Sequence, residues 1–339
     1  MRELIESPAD LATHLKVDVP VLEAVTAQYP MRINRYFLEV AIKSGAGLLR
    51  QVVPHPNELN DPVGMIDPLA EERDSPVPNI THRYPDRVLF LVSHACAVNC
   101  RFCTRKRKIG HWPVITDSEI EVGIAYIRQN RQISDVLISG GDPLMLSDER
   151  IDWILGEVRS IPHVETLRIG TRMPSALPHR ITPALVERLK RHQPLFINTH
   201  FNHPAELTKS ACKALALLAD AGIPLGCQTV LLRGINDDAE TLKRLFRLLI
   251  RNRVRPYYLL QGDLTRGTNH FRTRVEAGME IMRRLRGPLT GLAVPQYIMD
   301  LPEGGGKVPL VPEYIVGDTD NVLAVRNYEG RLCHYPQVE

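Results

Sequence analysis

From residue 88 to residue 260, short apolar runs alternate with longer stretches in which apolar positions recur every three or four residues. Val88-Leu89-Phe90-Leu91-Val92, Val136-Leu137-Ile138-Ser139, Thr166-Leu167-Arg168-Ile169-Gly170, Leu195-Phe196-Ile197-Asn198-Thr199-His200, and the runs from Leu225 to Leu232 and Val254 to Leu260 read as strands. Ile151 to Val158, Pro183 to Lys190, Leu207 to Ala221 and Ala239 to Arg251 read as the helices between them, so the period is that of parallel βα units. Charged, amide, imidazole and glycine residues fall just past the strand ends, where the chemistry of a barrel collects. From the first of these strands to the segment from Leu292 to Tyr297, the unit count predicts an incomplete barrel. A full eight-strand barrel and an open Rossmann-like sheet are the alternatives, but the latter lacks a GxGxxG after its first strand.

Ahead of this region, Ser7-Pro8-Ala9-Asp10 and Val19-Pro20-Val21-Leu22 open two helices, and Tyr36-Phe37-Leu38 with Ile42 marks a third. Gln51 to Ile80, punctuated by Pro54, Pro56, Pro62, Pro68, Pro76 and Pro78, reads as an extended connector packed down by Val63, Met65, Ile66 and Leu69.

Composition narrows the class. A chain of 339 residues, 44% of them hydrophobic, can bury a large core. Its 42 Lys and Arg nearly balance 39 Asp and Glu and are spread along the chain, which argues against a nucleic-acid partner. No apolar run spans a bilayer, and the opening MRELIESPADLATHL has no apolar h-region; a cytoplasmic protein with no membrane partner is expected. Of six cysteines, Cys212, Cys227 and Cys333 are scattered and three are clustered, a usage that fits a reducing, oxygen-poor setting.

The clustered three are Cys96-Ala97-Val98-Asn99-Cys100-Arg101-Phe102-Cys103, directly after the strand from Val88 to Val92. Three thiolates on such a loop can surround a soft metal centre and leave one iron of a cubane open. A zinc knuckle would need a fourth ligand at ordinary spacing. The Cys-x3-Cys-x2-Cys arrangement resembles the cluster motif of the radical S-adenosylmethionine (SAM) enzymes. From about Thr81 to about Leu310 the chain resembles, more narrowly, the lysine 2,3-aminomutase family.

The resemblance implies an α/β fold, an incomplete (β/α)6 radical-SAM barrel with an N-terminal helical region and a C-terminal extension. Its parts would be a helical region and connector (1–80), the partial barrel (81–300), and the loop of a cofactor-bearing lysine with the extension (301–339). Cys96, Cys100 and Cys103 would hold three irons of a 4Fe-4S cluster. SAM would bind the fourth iron and be cleaved to methionine and a 5'-deoxyadenosyl radical.

Other residues join this picture. Gly140-Gly141-Asp142 follows a strand, where missing side chains let a ligand or the flanking backbone approach; it resembles the family's SAM-binding segment. His200, at a strand terminus, either contacts SAM or orders a rim hydrogen bond. Lys307 ends the glycine run of Asp300-Leu301-Pro302-Glu303-Gly304-Gly305-Gly306-Lys307, which on its own suits a solvated lysine or an amine brought over a cofactor; the resemblance makes it the lysine that carries pyridoxal 5'-phosphate (PLP). Arg83 and Arg87 form either a surface ion-pair patch or a phosphate grip, and the resemblance places them near the PLP phosphate. Arg105, in a basic turn with Lys106, Arg107 and Lys108, would clamp the substrate carboxylate. Asp263 and Asp300 are costly as neighbours unless a cation joins them; they resemble the pair that receives the distal ammonium of lysine, which argues against glutamate as substrate. Asn202, His203 and His270 receive no defined role.

The implied activity is isomerisation of free L-lysine to β-lysine, the nitrogen moving from C2 to C3 by radical chemistry, in a homo-oligomer served by a cellular electron donor. Alternatives are the β-lysine-forming branch linked to elongation factor P and an aminomutase for another cationic amino acid. Clostridial-type members bind zinc through a C-terminal cysteine cluster and a further cysteine. Here Asn236-Asp237-Asp238 and the single Cys333 stand in those regions, so structural zinc is not expected.

Overall fold

The computed structural model describes residues 4–111, 113–319 and 322–337. Leu4–Ile5 (β1) pairs antiparallel with Ile33–Asn34 (β2) around helices Pro8–Ala12 (α1) and Val19–Gln28 (α2), and Arg35–Ser44 (α3) and Ala46–Leu49 (α4) follow. The three helices read from sequence are present. The first two start where expected and the third starts at Arg35, because Ser7, Asp18 and Asn34 accept hydrogen bonds from the otherwise unpaired first-turn N–H groups of Asp10, Val21 and Phe37. Leu11, Leu22, Phe37 and Leu38 share one apolar cluster with barrel residues such as Ile138 and Leu167.

The connector is held differently from the expectation. Val63 and Ile66 are 54% and 58% exposed, so they do not pack it down. Carboxylates do that work instead: Asp61 Oδ2 accepts the N–H groups of Gly267, Thr268 and Asn269 at 2.8, 3.3 and 3.2 Å, and Glu58, Glu71 and Asp74 take basic partners from the barrel. An extended, proline-rich segment has no continuous apolar face to bury, but its acids can still satisfy buried donors.

The barrel then runs Ile80–Tyr84 (β3), Arg87–Ser93 (β4), Asp117–Gln129 (α5), Asp135–Gly140 (β5), Asp148–Arg159 (α6), Thr166–Thr171 (β6), Met173–Ala176 (α7), Pro183–Lys190 (α8), Leu195–Thr199 (β7), Lys209–Asp220 (α9), Leu225–Val230 (β8), Ala239–Arg251 (α10), Val254–Leu260 (β9), Val275–Leu285 (α11), Gln296–Leu301 (β10) and Gly306–Pro309 (β11). One sheet orders these strands β11-β10-β9-β8-β7-β6-β5-β4-β3. β4 to β10 are parallel, and β3 and β11 run antiparallel at the two edges. Six βα units followed by β10 make the incomplete (β/α)6 barrel of the sequence reading. Ile315–Thr319 (β12), Val322–Arg326 (β13) and Leu332–Pro336 (β14) form a separate antiparallel sheet. Among the described residues no helix is long and apolar enough to cross a membrane.

Burial alternates along the strands: Val136 and Ile138, or Leu167 and Ile169, are sealed, while Asp135 and Arg168 are half-buried and pair at 2.8 Å. The sealed face meets the helices. A Cβ on Gly123 of α5 would fall 2.6 Å from the Phe90 ring, so glycine there lets the helix close on the sheet. The opposite face lines a lumen that stays partly polar.

The edges β3 and β11 face each other without a strand ladder. Side chains and loops bridge the seam: the Lys307 N–H donates to the Tyr84 hydroxyl at 2.9 Å, the Glu303 N–H to the Pro68 carbonyl at 2.8 Å, and Arg73 Nη1 to the Glu303 carbonyl at 3.0 Å.

Candidate active site

The cysteine loop leaves the carboxyl end of β4 and lies at the barrel rim. Burial pushes the Cys96 thiol well up, with the neighbouring Cys103, Asp142 and Cys100 adding to it, and burial likewise raises Cys103 to about 11. Such thiols stay protonated until a metal takes the proton's place. Among the described residues no three His, Cys, Asp or Glu side chains converge on a single ion. A cubane needs no such convergence, since each thiolate takes its own iron. The donor set therefore fits an iron-sulfur cluster held by Cys96, Cys100 and Cys103.

The motif Gly140-Gly141-Asp142 serves this loop directly. A Cβ on Gly140, whose φ is +138°, would fall 2.1 Å from the Ser93 carbonyl oxygen, and one on Gly141 would fall 2.4 Å from that of Ala95. The Gly141 and Asp142 N–H groups donate to those same carbonyls at 2.5 and 2.8 Å. The close approach that the glycines permit is thus to the backbone leading into the cysteines. Asp142 is turned inward, accepting from Thr171 Oγ1 at 2.8 Å and from the Arg172 and Leu144 N–H groups at 2.8 and 3.0 Å. Burial nevertheless raises its carboxyl to about 6.

His200 stacks on Phe102 with ring centroids 5.6 Å apart, and burial, reinforced by Arg172, lowers it to about 3, so it is a neutral ring. Its Nε2 is buried without a hydrogen-bond partner, a polar atom suited to a bound ligand beside the cysteine loop.

Lys307 and Asp300 face each other in the β10–β11 register and form a close ion pair. Arg83 Nη1 stands 3.6 Å from Asp300 Oδ1 while its Nε binds Asp74 at 3.1 Å. Arg87 lies over the Tyr84 ring at 3.8 Å and pairs with Asp86 at 3.0 Å. One amine and two guanidinium groups thus share the seam region, a donor set that fits a phosphorylated aldehyde cofactor.

Arg105 meets Glu71 side-on: Nε donates to the two carboxylate oxygens at 2.9 and 3.2 Å, and Nη2 lies 2.7 Å from Oε1. One edge of the guanidinium is already engaged by the connector. Arg107 binds Asp67, Glu71 and Glu72 at 2.9, 3.5 and 3.1 Å, which accounts for the neighbouring basic residue without a ligand.

Asp263 accepts from Thr104 Oγ1 at 2.7 Å. Burial raises its carboxyl to about 6; Thr104, Lys307 and Arg105 pull it down and Asp300 pushes it up. Asp300 Oδ1 is a buried oxygen with no hydrogen-bond partner. The region therefore gathers Arg105, Asp263, Asp300 and Lys307 and leaves one carboxylate oxygen without a hydrogen bond. Sequence reasoning missed Tyr84, Thr104, Glu71 and Arg172. Thr104 and Arg172 carried a signal in position, one beside Cys103 and the other just past β6.

The chain matches the lysine-2,3-aminomutase family model over residues 282–339 and the radical SAM superfamily model over residues 90–246. It is 50% identical to an L-lysine 2,3-aminomutase of Methanococcus maripaludis over 91% of this chain and 72% of that protein. It is 44% identical to an L-lysine 2,3-aminomutase of Clostridium subterminale over 99% of this chain and 83% of that protein. A glutamate 2,3-aminomutase of Clostridioides difficile is 41% identical over 97% of this chain and 78% of that protein.

Proposed function

The chain belongs to the lysine 2,3-aminomutase family of radical SAM enzymes, and on that premise we propose that it converts L-lysine to β-lysine with PLP as a further cofactor. When bound, the cluster with SAM supplies the hydrogen-abstracting radical, and PLP stabilises the substrate radical while nitrogen migrates. Cys96, Cys100 and Cys103 would hold the cluster, Lys307 would carry PLP, and Arg83 and Arg87 would take its phosphate. Gly140, Gly141 and Asp142 fix the loop that presents the cluster, and His200 offers an unpaired ring nitrogen beside it.

The substrate reading is carried by the buried Asp300 carboxylate, whose Oδ1 accepts no hydrogen bond and has only Arg83 at 3.6 Å, beside the raised Asp263 carboxyl. Two buried carboxylates in one pocket favour a cation, and the distal ammonium of lysine supplies it. The outer edge of Arg105, held from behind by Glu71, faces the task of gripping the α-carboxylate. Glutamate would bring a third carboxylate to the acidic pair, so the likeness to a glutamate enzyme does not carry its substrate here.

The test is anaerobic reconstitution with iron, sulfide and PLP, followed by reductant, SAM and either lysine or glutamate, with products resolved by chiral chromatography and mass detection. β-Lysine alone is expected; turnover of glutamate in place of lysine would sink the assignment of Asp263 and Asp300. Asp263→Asn should raise KM for lysine roughly 10- to 100-fold, the loss of about 1.5–3 kcal/mol for a hydrogen bond to a charged group.

A pH dependence follows from the same carboxyl. With its pKa raised to about 6, Asp263 becomes neutral as pH falls through that value and loses its attraction for ammonium. kcat/KM for lysine should fall on the acid side of about pH 6 and the Asp263→Asn enzyme should lack that limb. The folding contribution has the opposite sense: a raised carboxyl pKa costs stability as pH climbs from the ordinary 3.8 towards about 6, a cost that bound lysine would relieve.

A further inference from the structure

A buried charge pair unused by the chemistry above ends on a cluster sulfur. Arg172 follows β6 at the rim, with its side chain 9% exposed. Its Nη1 donates to Cys100 Sγ at 2.7 Å. Its Nη2 donates to Gln51 Oε1 at 2.6 Å and to Glu206 Oε2 at 3.0 Å. The guanidinium carbon lies 5.4 Å from the centroid of the Phe102 ring.

Glu206 has no exposed side-chain surface. Burial would raise its carboxyl, but Arg172, Ser175 and the Asn202 N–H hold it below the ordinary range, so it is charged. Ser175 Oγ donates to it at 2.6 Å and the Asn202 N–H at 2.9 Å. The pair is neutral as a whole but oriented, its positive end at the sulfur and its negative end directed away.

Reducing an iron-sulfur cluster adds negative charge, and hydrogen bonds to its sulfurs together with nearby positive charge make that addition easier. In a buried setting these fields act at short range with little screening. We propose that Arg172 is a positioning residue that raises the cluster's reduction potential through Cys100, and that Glu206 both holds the guanidinium and offsets part of its charge. The inference deepens the proposed function and rests on Cys100 being a cluster ligand.

The two charges then act in opposite directions on the cluster. Glu206→Gln keeps the shape of the side chain and an acceptor for either Ser175 at Oε2 or the Asn202 N–H at Oε1, but removes the offsetting charge; the reduced-to-oxidised ratio of the cluster at a fixed solution potential should rise about tenfold (~59 mV for one electron). Removing the sulfur donor and the carboxylate together, in Arg172→Met with Glu206→Gln, avoids leaving a lone buried ion. That double variant should show a ratio about tenfold below the Glu206→Gln chain (~59 mV).

The measurement is a redox titration of the reconstituted cluster followed by electron paramagnetic resonance, without SAM or substrate, on chains matched for iron and sulfide content and for circular dichroism. A midpoint raised in Glu206→Gln and lowered again by the added Arg172→Met supports the inference. A midpoint unchanged in Glu206→Gln, or not lowered from it by the added Arg172→Met, with cluster content intact, overturns it while leaving the cluster assignment standing. Failure of the unsubstituted chain to assemble a 4Fe-4S cluster, or assembly equally well after Cys100→Ala, overturns that assignment and the inference with it.

Discussion

A Lys307→Ala chain keeps its fold and its iron but makes no β-lysine above detection, a fall on the order of 10⁴-fold or more of the kind seen when a covalent catalytic group is deleted. Lys307 sits on the edge strand β11 with its side chain 36% exposed, and its ionic partner is Asp300. Alanine therefore opens no core cavity, and Arg83 stays 3.6 Å from the buried Asp300 carboxylate that Lys307 leaves, so the fold is retained at a cost of about 1–2 kcal/mol. Its amine is what the chemistry lacks. Lys307→Arg sharpens the test, because arginine can keep the ion pair with Asp300 but cannot bond to an aldehyde. Both variants should be inactive, and a borohydride-trapped PLP adduct should appear on the tryptic peptide of the unsubstituted chain only. Turnover by Lys307→Arg would remove the residue from the proposed role.

Glu58→Ala should cost about 3–5 kcal/mol of folding free energy, the loss expected when one partner of a buried ionic group is removed. Glu58 is sealed, with Arg101 Nη2 and Lys106 Nζ each 2.5 Å from Oε2. Lys106 also donates to the Arg101 and Gly267 carbonyls at 2.9 and 3.0 Å and lies 4.4 Å from the Tyr29 ring centroid. Two cations share one carboxylate, so the shifts are asymmetric. Burial pushes Glu58 up, but Arg101 and Lys106 together overcome it and hold the carboxyl low; burial prevails at Lys106, which falls to about 8. The lowered Glu58 adds stability that is present above the ordinary value of 4.5 and lost as pH drops through the folded value. Urea unfolding at neutral pH should show a lower midpoint in Glu58→Ala, and iron incorporation should fall with it, since Arg101 lies between Cys100 and Cys103. An unchanged midpoint would mean that the two cations find other partners.

The sequence disclosed the barrel because its strands are apolar runs of fixed spacing and its helices have strong stripes. Pro183–Lys190 and Ala239–Arg251 were legible to the residue. α5 was not identified, although Thr116 and Glu119 form a capping box at its start. α11 escaped because no side-chain cap announces it. β10 was placed too early, since the apolar residues near Leu292 lie in a short turn before it. β3, β11 and the sheet of β12 to β14 need partners distant in sequence, and local pattern does not supply register. At the site, the cysteine spacing and the motif ending at Lys307 carried their own signal. Glu71 on Arg105 and Glu206 on Arg172 did not: each pair spans more than thirty residues, and nothing in a lone acid's neighbourhood says which distant cation it will meet.

The side-chain seam between β3 and β11 gives the pocket a latch. A wall of laddered strands parts only by breaking backbone bonds in register, whereas this joint includes ions that can exchange partners. A substrate ammonium arriving at Asp300 competes with Lys307 and Arg83 for one carboxylate, so capture of the ligand and fastening of the wall draw on the same charges. Ionic strength would therefore act on the container as well as on its contents: salt that weakens lysine binding should also quicken deuterium uptake at the amides of β11.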